Sequence, residues 1–354
     1  MTDATPAPIF VVGPSRGGTA LMRSMLNNHA DIFITGETHY FDDLRVKLAH
    51  AAEAPLDPAE ARQCADYFRA LAHRPYGHGG IPDQGWLAAE DLRTEAARCG
   101  AGADAWFEAF CRLGAAREGK PRWGEKTPRH VYRIPDILAR YPEARVIAML
   151  RDPRAIAASY RDWKNQGGFD LEKDSGHRAA LALEEERTRA SYHIVIQSLL
   201  WRGVANATLG ARDRFGESQV WVQRYEDFVA DPAAAGRMLM AWLGLDFDEG
   251  LLEVPMHNSS FSSFSREAGV SKAPVERWRE KLSGGEIAVI QDCCGALMDR
   301  VGYRREPTGL APTRMVPWVT LPYAVLSAAR ANKDRTGNLP AYILRRLRLA
   351  TRAG

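Results

Sequence analysis

A loop suited to binding an anion lies near the N-terminus of this 354-residue chain. It has the sequence Gly13-Pro-Ser-Arg-Gly-Gly-Thr19 and joins an apolar run, residues 9–13, to a segment with apolar side chains at helical spacing. Backbone N–H groups at the start of such a helix have no partner within the helix, and the helix dipole adds positive charge there. Because the loop is made of small residues and Arg16 adds a forked, permanently charged donor, the sequence predicts a phosphate or sulfate cradle.

Two other classes of protein use similar loops. ATP and GTP hydrolases need a lysine directly after the last glycine, but here Thr19 and Ala20 follow the glycines, which disfavours that class. The segment also matches G-x-S-x-G, the nucleophile elbow of α/β-hydrolases, with Ser15 as the nucleophile. That fold needs earlier strands and an oxyanion loop, and only twelve residues precede Gly13. A serine hydrolase therefore ranks below the anion cradle, and a nucleotide-binding protein without catalysis is a third hypothesis.

A second group of candidate anion-binding residues follows the clearest buried strand, residues 145–150. Arg151 comes directly after this strand, and Ser159 lies about two turns into the helix that follows. Ligands of open α/β sheets bind beyond the carboxyl ends of the strands, where Arg151 is expected. A guanidinium and a hydroxyl that converge on one phosphate are therefore predicted here.

A parallel sheet is needed to bring these two groups together. Four short apolar runs are typical of buried strands, at 9–13, 32–35, 145–150 and 219–223. Strands that alternate with helices predict an α/β fold, a parallel sheet with helices on both faces. We expect one domain over residues 1–306 that contains a mostly helical insertion at 42–120, followed by an appendage at 307–354.

Taken in order, the motifs resemble those of the sulfotransferase family that depends on 3′-phosphoadenosine 5′-phosphosulfate (PAPS). The motifs that carry the resemblance are PSRGGT with LMRSML, ITGETHYF, GEKTP, RVIAMLRDPRAIAASY, RYEDF and RWREKL. They cover roughly residues 9–40, 122–163 and 219–305, and the tyrosylprotein and bacterial branch is the most similar. The resemblance implies a P-loop-like sheet, with the insertion on the acceptor side. It also implies sulfuryl transfer from PAPS to an acceptor hydroxyl by in-line displacement.

The resemblance also implies a donor-binding role for several residues. The first loop would hold the 5′-phosphosulfate through Arg16, Gly17, Gly18, Thr19 and Ala20. Arg151 and Ser159 would hold the 3′-phosphate, Tyr225 would lie near the adenine or its phosphate, and the stretch from Ser259 to Ser265 would add a contact. Ala20 departs from the family pattern, which often has two consecutive Thr or Ser residues here; its backbone N–H remains.

Three residues are candidates for catalysis: Glu37, Lys126 and His39. Lys126 is a compact cation suited to the charge that builds on the leaving phosphate. Glu37 matches the family's catalytic glutamate, and a water-poor cleft would give it the raised pKa of a general base. His39 lies two residues further, on the same side of an extended chain, and is the alternative base.

Composition narrows the cofactors and partners. A net charge of +3 is too small to indicate a nucleic-acid partner. No apolar run is long enough to span a membrane, and the five cysteines are odd in number and form no C-x-x-C pair. We therefore expect a cytoplasmic protein with reduced thiols. The resemblance implies PAPS as the cofactor, without a metal, and a small-molecule or peptide hydroxyl acceptor. Homo-oligomer formation stays open. The basic segment from Tyr342 to Leu349 fits a packing helix or attraction to an anionic surface, and the sequence does not choose between them.

Overall fold

Five parallel strands form the centre of the fold, in the order β2-β3-β1-β4-β5. The strands are β1 Ile9–Val12, β2 Ile32–Thr35, β3 Arg122–Lys126, β4 Arg145–Leu150 and β5 Val220–Arg224. The computed structural model describes residues 6–73, 85–162, 175–254, 269–272, 275–309 and 312–333. The prediction of an α/β fold with a parallel sheet is confirmed.

Helices connect the strands. The α-helices of the described residues are α1 Thr19–Asn27, α2 Leu44–Lys47, α3 Pro58–His73, α4 Ala89–Cys99, α5 Ala103–Arg117, α6 Ile134–Arg140, α7 Pro153–Arg161, α8 Ser175–Ser191, α9 Ile194–Phe215, α10 Tyr225–Ala230, α11 Pro232–Leu243, α12 Trp278–Lys281, α13 Gly284–Val301 and α14 Val316–Ala331. His193 is extended and separates α8 from α9. Among the described residues, no helix is both long enough and apolar enough to cross a membrane.

The side chains of β1 show why the sheet needs helices on both faces. Ile9 and Val11 belong to a buried cluster with α1, α10 and α11, whereas Phe10 and Val12 belong to another with α5, α9 and α13. All four β1 side chains are fully buried. A continuous apolar run of this kind is typical of a parallel strand that is covered on both faces.

β3 was not predicted, because the sequence Arg-Trp-Gly-Glu-Lys is not an apolar run. The strand nevertheless lies between β2 and β1 and is buried along its whole length. Gly124 is needed there, since a Cβ would lie 2.3 Å from Ile34 Cδ1 and 2.4 Å from the carbonyl oxygen of Ile9. The polar residues that hid this strand, Glu125 and Lys126, belong to the candidate site described below.

The described part of residues 42–120 is mostly helical, and it shares the core of the sheet. α5 packs on β2 and β3, and the ring of Phe107 stacks on Tyr40 with a centroid distance of 4.8 Å. Phe107 also stacks on Phe10 of β1, at 6.3 Å. The helical segment is therefore built onto the sheet by aromatic packing.

Candidate active site

Four of the candidate site residues lie at the end of a strand or just beyond it. Lys126 ends β3, Glu37 follows β2 by two residues, and Arg151 and Tyr225 directly follow β4 and β5. Because the five strands are parallel, their carboxyl ends share one edge of the sheet. The register confirms the proximity of the central strands, since Lys126 is paired with Val11 of β1.

The loop after β1 has a conformation that few residue types adopt. Arg16 has a φ of 65° and Gly18 a φ of 96°, both left-handed, which is uncommon for a residue with a side chain. The loop is anchored because Gly13 N donates to the carbonyl of Pro128, at 3.1 Å. No side chain caps α1, whereas Asp152 caps α7 and Asp231 caps α11. The first amides of α1 are thus left to a ligand or to water.

Arg16 and Arg151 lie together, although 135 positions separate them in the chain. Arg151 Nη1 donates to the carbonyl oxygen of Arg16 at 2.9 Å. Arg16 Nε in turn donates to Ser159 Oγ at 3.1 Å. The two predicted anion-binding groups are therefore in direct contact.

Tyr225 connects the two loops. The guanidinium carbon of Arg151 lies 4.3 Å from the centre of the Tyr225 ring, a cation–π contact. On the other side, a Cβ at Gly18 would lie only 2.6 Å from Tyr225 Cδ2. Gly18 is therefore required both by its backbone angle and by the aromatic ring beside it.

Two groups that sequence analysis missed hold the Arg151 loop in place. Trp201 Nε1 donates to the carbonyl of Arg151 at 2.8 Å. Glu226 Oε1 accepts from the Asp152 amide at 3.0 Å, and its other oxygen accepts from the Tyr303 hydroxyl at 2.9 Å. Burial raises the pKa of Glu226. Glu226 could have been found from the sequence, because it belongs to the motif RYEDF.

Arg154, the second arginine of the RDPR motif, pairs with a neighbouring carboxylate and packs against an aromatic ring. It is buried, its Nη2 lies 2.6 Å from Asp152 Oδ2, and its guanidinium carbon lies 4.1 Å from the centre of the Trp278 ring. Since Asp152 also caps α7, this pair joins the start of that helix to α12.

The three candidate catalytic residues meet in one cluster. Lys126 Nζ donates to Glu37 Oε1 at 2.6 Å, and His39 Nε2 lies 3.3 Å from Glu37 Oε2. The Glu37 side chain is 26% exposed, against 9% for Lys126 and 14% for His39. Glu37 thus lies between Lys126 and His39, and its side chain is the most exposed of the three.

The expected raised pKa of Glu37 is wrong. Burial does act to raise it, but the charge of Lys126, followed by the contacts with His39, outweighs burial and holds the pKa well below its ordinary value. Sequence analysis considered only the water-poor cleft, because it could not show that Lys126 pairs directly with this carboxylate. In this structure Glu37 is an ionised, stabilised carboxylate.

Glu125 is the most important residue that sequence analysis missed. It is fully buried and accepts hydrogen bonds from the Thr38 amide at 3.1 Å, from the Thr38 hydroxyl at 2.9 Å and from the Thr127 hydroxyl. Its second oxygen lies 3.0 Å from His130 Nδ1. Although burial acts to raise the pKa of Glu125, His130 and these hydrogen bonds lower it.

The result is a tether between the Glu37 loop and β3. Thr127 Oγ1 also accepts from the amides of Thr38 and His39, at 3.0 and 3.2 Å. His39 has a left-handed φ of 53°, a strained conformation that these contacts hold. The available signal was a charged residue beside Lys126 in the motif GEKTP, and it was overlooked because β3 itself was not predicted.

Two predictions fall on residues outside the described part of the chain, namely the contact from Ser259 to Ser265 and the basic segment from Tyr342 to Leu349. Within the described part, no three His, Cys, Asp or Glu side chains are grouped so that they could hold a metal ion. Ala20, at the first turn of α1, is exposed.

The fold and the site together define a P-loop-like α/β protein with cations at the carboxyl edge of its sheet, an arrangement suited to transferring a charged group. The chain belongs to the sulfotransferase family, because the family model described as "Sulfotransferase family" matches residues 8–249.

Curated relatives agree with this family. Nodulation protein NoeE of Sinorhizobium fredii (strain NBRC 101917 / NGR234) is 26% identical over 317 residues, which cover 86% of this chain and 68% of that protein. Carbohydrate sulfotransferase 5 of Mus musculus is 28% identical over 175 residues. That match covers 45% of this chain and 42% of the mouse protein, so the similarity spans less than half of either.

Solved structures share the fold. The sulfotransferase domain from the curacin biosynthetic pathway aligns with a TM-score of 0.51 at 16% identity, over 85% of this chain and 99% of that domain. The sulfotransferase domain of the Synechococcus PCC 7002 olefin synthase aligns with a TM-score of 0.51 at 17% identity, over 87% of this chain and 98% of that domain.

Proposed function

We propose that this chain transfers a sulfuryl group from PAPS to an acceptor hydroxyl, with Glu37 as the general base and Lys126 as the cation that stabilises the leaving phosphate. The observation that carries the proposal is the Lys126–Glu37 pair, 2.6 Å apart, at the same sheet edge as the joined Arg16 and Arg151. Membership of the sulfotransferase family supports the sulfuryl-transfer class.

The residues at this edge fit a nucleotide with phosphates at both ends. The start of α1 has no side-chain cap, and the small residues Gly17 and Gly18 let an anion come close to its backbone amides. Together with Arg16, the start of this helix therefore suits the 5′-phosphosulfate. Arg151 and Ser159 suit the 3′-phosphate, and Tyr225 is placed beside both loops. PAPS would supply an activated sulfuryl group with a phosphate as its leaving group.

Lys126 and Glu37 would act together. The acceptor hydroxyl would pass its proton to the Glu37 carboxylate as its oxygen bonds to sulfur, while Lys126 stabilises the negative charge that the leaving phosphate gains. An ammonium that turns from Glu37 to an anion no longer lowers the pKa of Glu37. The carboxylate thus becomes a stronger base only when Lys126 is engaged elsewhere.

His39 is the alternative base, and the structure gives it a different position. It contacts Glu37, whereas Glu37 contacts both His39 and Lys126 and is the more exposed of the pair. We therefore assign the proton transfer to Glu37 and give His39 the role of orienting that carboxylate. The acceptor is proposed to be a small-molecule hydroxyl, and the name of the mouse relative favours a carbohydrate.

The test is to measure both donor binding and transfer. The desulfonated product of PAPS, 3′-phosphoadenosine 5′-phosphate (PAP), should raise the melting temperature of the wild type, because a ligand that binds only the folded state stabilises it. Labelled sulfate from PAPS should reach at least one member of a panel of carbohydrate and phenol acceptors. Glu37→Gln should keep the PAP-induced shift and lose transfer.

Three results would contradict the proposal. If PAP did not shift the melting temperature, the proposed donor-binding site would be contradicted. A shift without transfer to any acceptor would favour the nucleotide-binding protein that lacks catalysis. A Ser15→Ala variant that loses turnover and keeps the shift would favour the serine hydrolase, because Ser15 has no proposed role in sulfuryl transfer.

A further inference from the structure

The described residues expose a concentrated apolar surface far along the chain from the site. Six of their nine exposed large hydrophobic side chains belong to α14 or to the residue before it: Met315, Val316, Trp318, Val319, Tyr323 and Leu326. Val319 and Tyr323 are each 76% exposed. Single exposed apolar residues are normal on a protein surface, but a continuous apolar face of this kind marks an interaction site.

The exposed large apolar side chains of α14 share one side of the helix. At about 100° per residue, the positions from Met315 to Leu326 fall within an arc of about 160°. Arg330, also exposed, falls on the same arc, and exposed Lys333 follows the helix. We call this surface, from Met315 to Lys333, the α14 face. It is apolar at its start and basic at its end.

The opposite side of α14 is fixed to the fold. Ser327 Oγ donates to the carbonyl of Ala190 at 2.8 Å, and Thr320 Oγ1 lies 3.1 Å from His193 Nε2. Ala328, on that side, is buried. The helix is therefore held by α8 and α9 in an orientation that turns the α14 face outward.

Charge distinguishes this end of the chain from the rest. Residues 307–354 carry eight Lys and Arg side chains against one carboxylate, Asp334, whereas residues 1–306 carry 39 against 43. The positive charge of the protein therefore lies in the segment that contains the α14 face. A partner of opposite charge would be attracted to this end, whereas two copies of it would repel each other.

We propose that the α14 face binds an anionic lipid surface, lying in the interface with Trp318, Val319 and Tyr323 among the headgroups and acyl chains. Trp and Tyr are favoured at such interfaces because each ring has an apolar body and a polar tip. Basic residues beside an apolar helix face add attraction to anionic headgroups, the combination typical of interfacial helices. The proposal does not depend on the sulfuryl-transfer activity.

The experiment is co-sedimentation of the full chain with phosphatidylcholine vesicles, with and without about one third phosphatidylglycerol. The wild type should bind the anionic vesicles, and binding should weaken as salt screens the headgroup charge. A Val319→Glu/Leu326→Glu double variant should bind the anionic vesicles at least about tenfold more weakly, since it places carboxylates on the face that enters the lipid. Arg330→Glu/Lys333→Glu should also lose about tenfold or more, at about 1 kcal/mol per cation near the surface.

The matched control is Val46→Glu, because Val46 is an exposed valine, at 49%, that belongs to α2 and is not part of the α14 face. It should bind vesicles like the wild type, and thermal unfolding should show that all variants fold. No binding to anionic vesicles, or an equal loss in Val46→Glu, would overturn the proposal. So would a wild-type dimer that the Val319→Glu/Leu326→Glu variant makes monomeric without any vesicle binding, since a second copy would then cover the face.

Discussion

The two sides of the candidate site differ in how they position their charges. On the β1–β4 side, the contacts that hold Arg16 and Arg151 include the Ser159 hydroxyl, a backbone carbonyl and the Tyr225 ring. On the β2–β3 side, Lys126 is held by the carboxylate of Glu37. An anion that reaches Lys126 would have to replace its ion pair with Glu37.

This difference suggests a division of labour. The β1–β4 side is suited to binding, since its cations are positioned before any ligand arrives. The β2–β3 side is suited to a chemical step, because the same event that engages Lys126 releases Glu37 from the charge that lowers its pKa. Variants on the two sides should therefore change different measured quantities.

The largest effect is expected on the β2–β3 side, from Glu37→Gln. Removal of a general base lowers kcat by about 10²- to 10⁴-fold, while the affinity for PAP should change little. Transfer of labelled sulfate and titration calorimetry with PAP measure the two quantities separately. Glu53→Gln, which removes an exposed carboxylate, is the control. Unchanged turnover in Glu37→Gln would transfer the role of base to His39.

On the β1–β4 side, Arg151→Ala should weaken PAP binding by about tenfold to a hundredfold, the range of about 1.5–3 kcal/mol for a hydrogen bond to a charged group. At saturating donor, kcat should fall much less. Calorimetry measures the affinity, and Arg98→Ala, which removes a largely exposed guanidinium, is the control. A fall in kcat with unchanged PAP affinity would contradict the proposed division between binding and chemistry.

Gly18→Ala tests the contact between the first loop and Tyr225. The added Cβ meets the Tyr225 ring at 2.6 Å and also requires a left-handed φ of 96°, so we expect weaker PAP binding and a loss of stability of about 1–3 kcal/mol. Gly119→Ala is a sharp control, because its φ of 68° is also left-handed but nothing lies within 4 Å of its Cβ. Equal effects of the two variants in thermal unfolding would mean that the Tyr225 contact contributes nothing.

The smallest effect is expected in the stability of the folded protein at low pH. The pKa values of Glu37 and Glu125 are lower in the folded protein than the ordinary value of about 4.3, so the stability they provide is complete above that pH and is lost as the pH falls below it. Glu125→Gln should melt at a lower temperature than the wild type at neutral pH, and it should lose less stability between about pH 5 and about pH 2. Parallel acid profiles for the two proteins would contradict the tether. Glu53→Gln again serves as the exposed control.

The β1–β4 side was largely accessible from sequence, and the β2–β3 side was not. An apolar run ends directly before Arg151, so a parallel sheet was enough to predict that it lies near Arg16, whereas the place of Tyr225 was implied by the family resemblance. β3 carries Glu125 and Lys126 inside the strand itself, and their polarity concealed it. The lowered pKa of Glu37 depends on a 2.6 Å contact between residues 89 positions apart, which no local pattern reveals.

The most direct measurement is a crystal structure with PAP bound. Our account predicts a single nucleotide at the carboxyl edge of the sheet, with its 5′-phosphate at the start of α1, within reach of Lys126, and its 3′-phosphate contacting Arg151 and Ser159. A nucleotide bound elsewhere, or one whose two phosphates do not contact both loops, would contradict it.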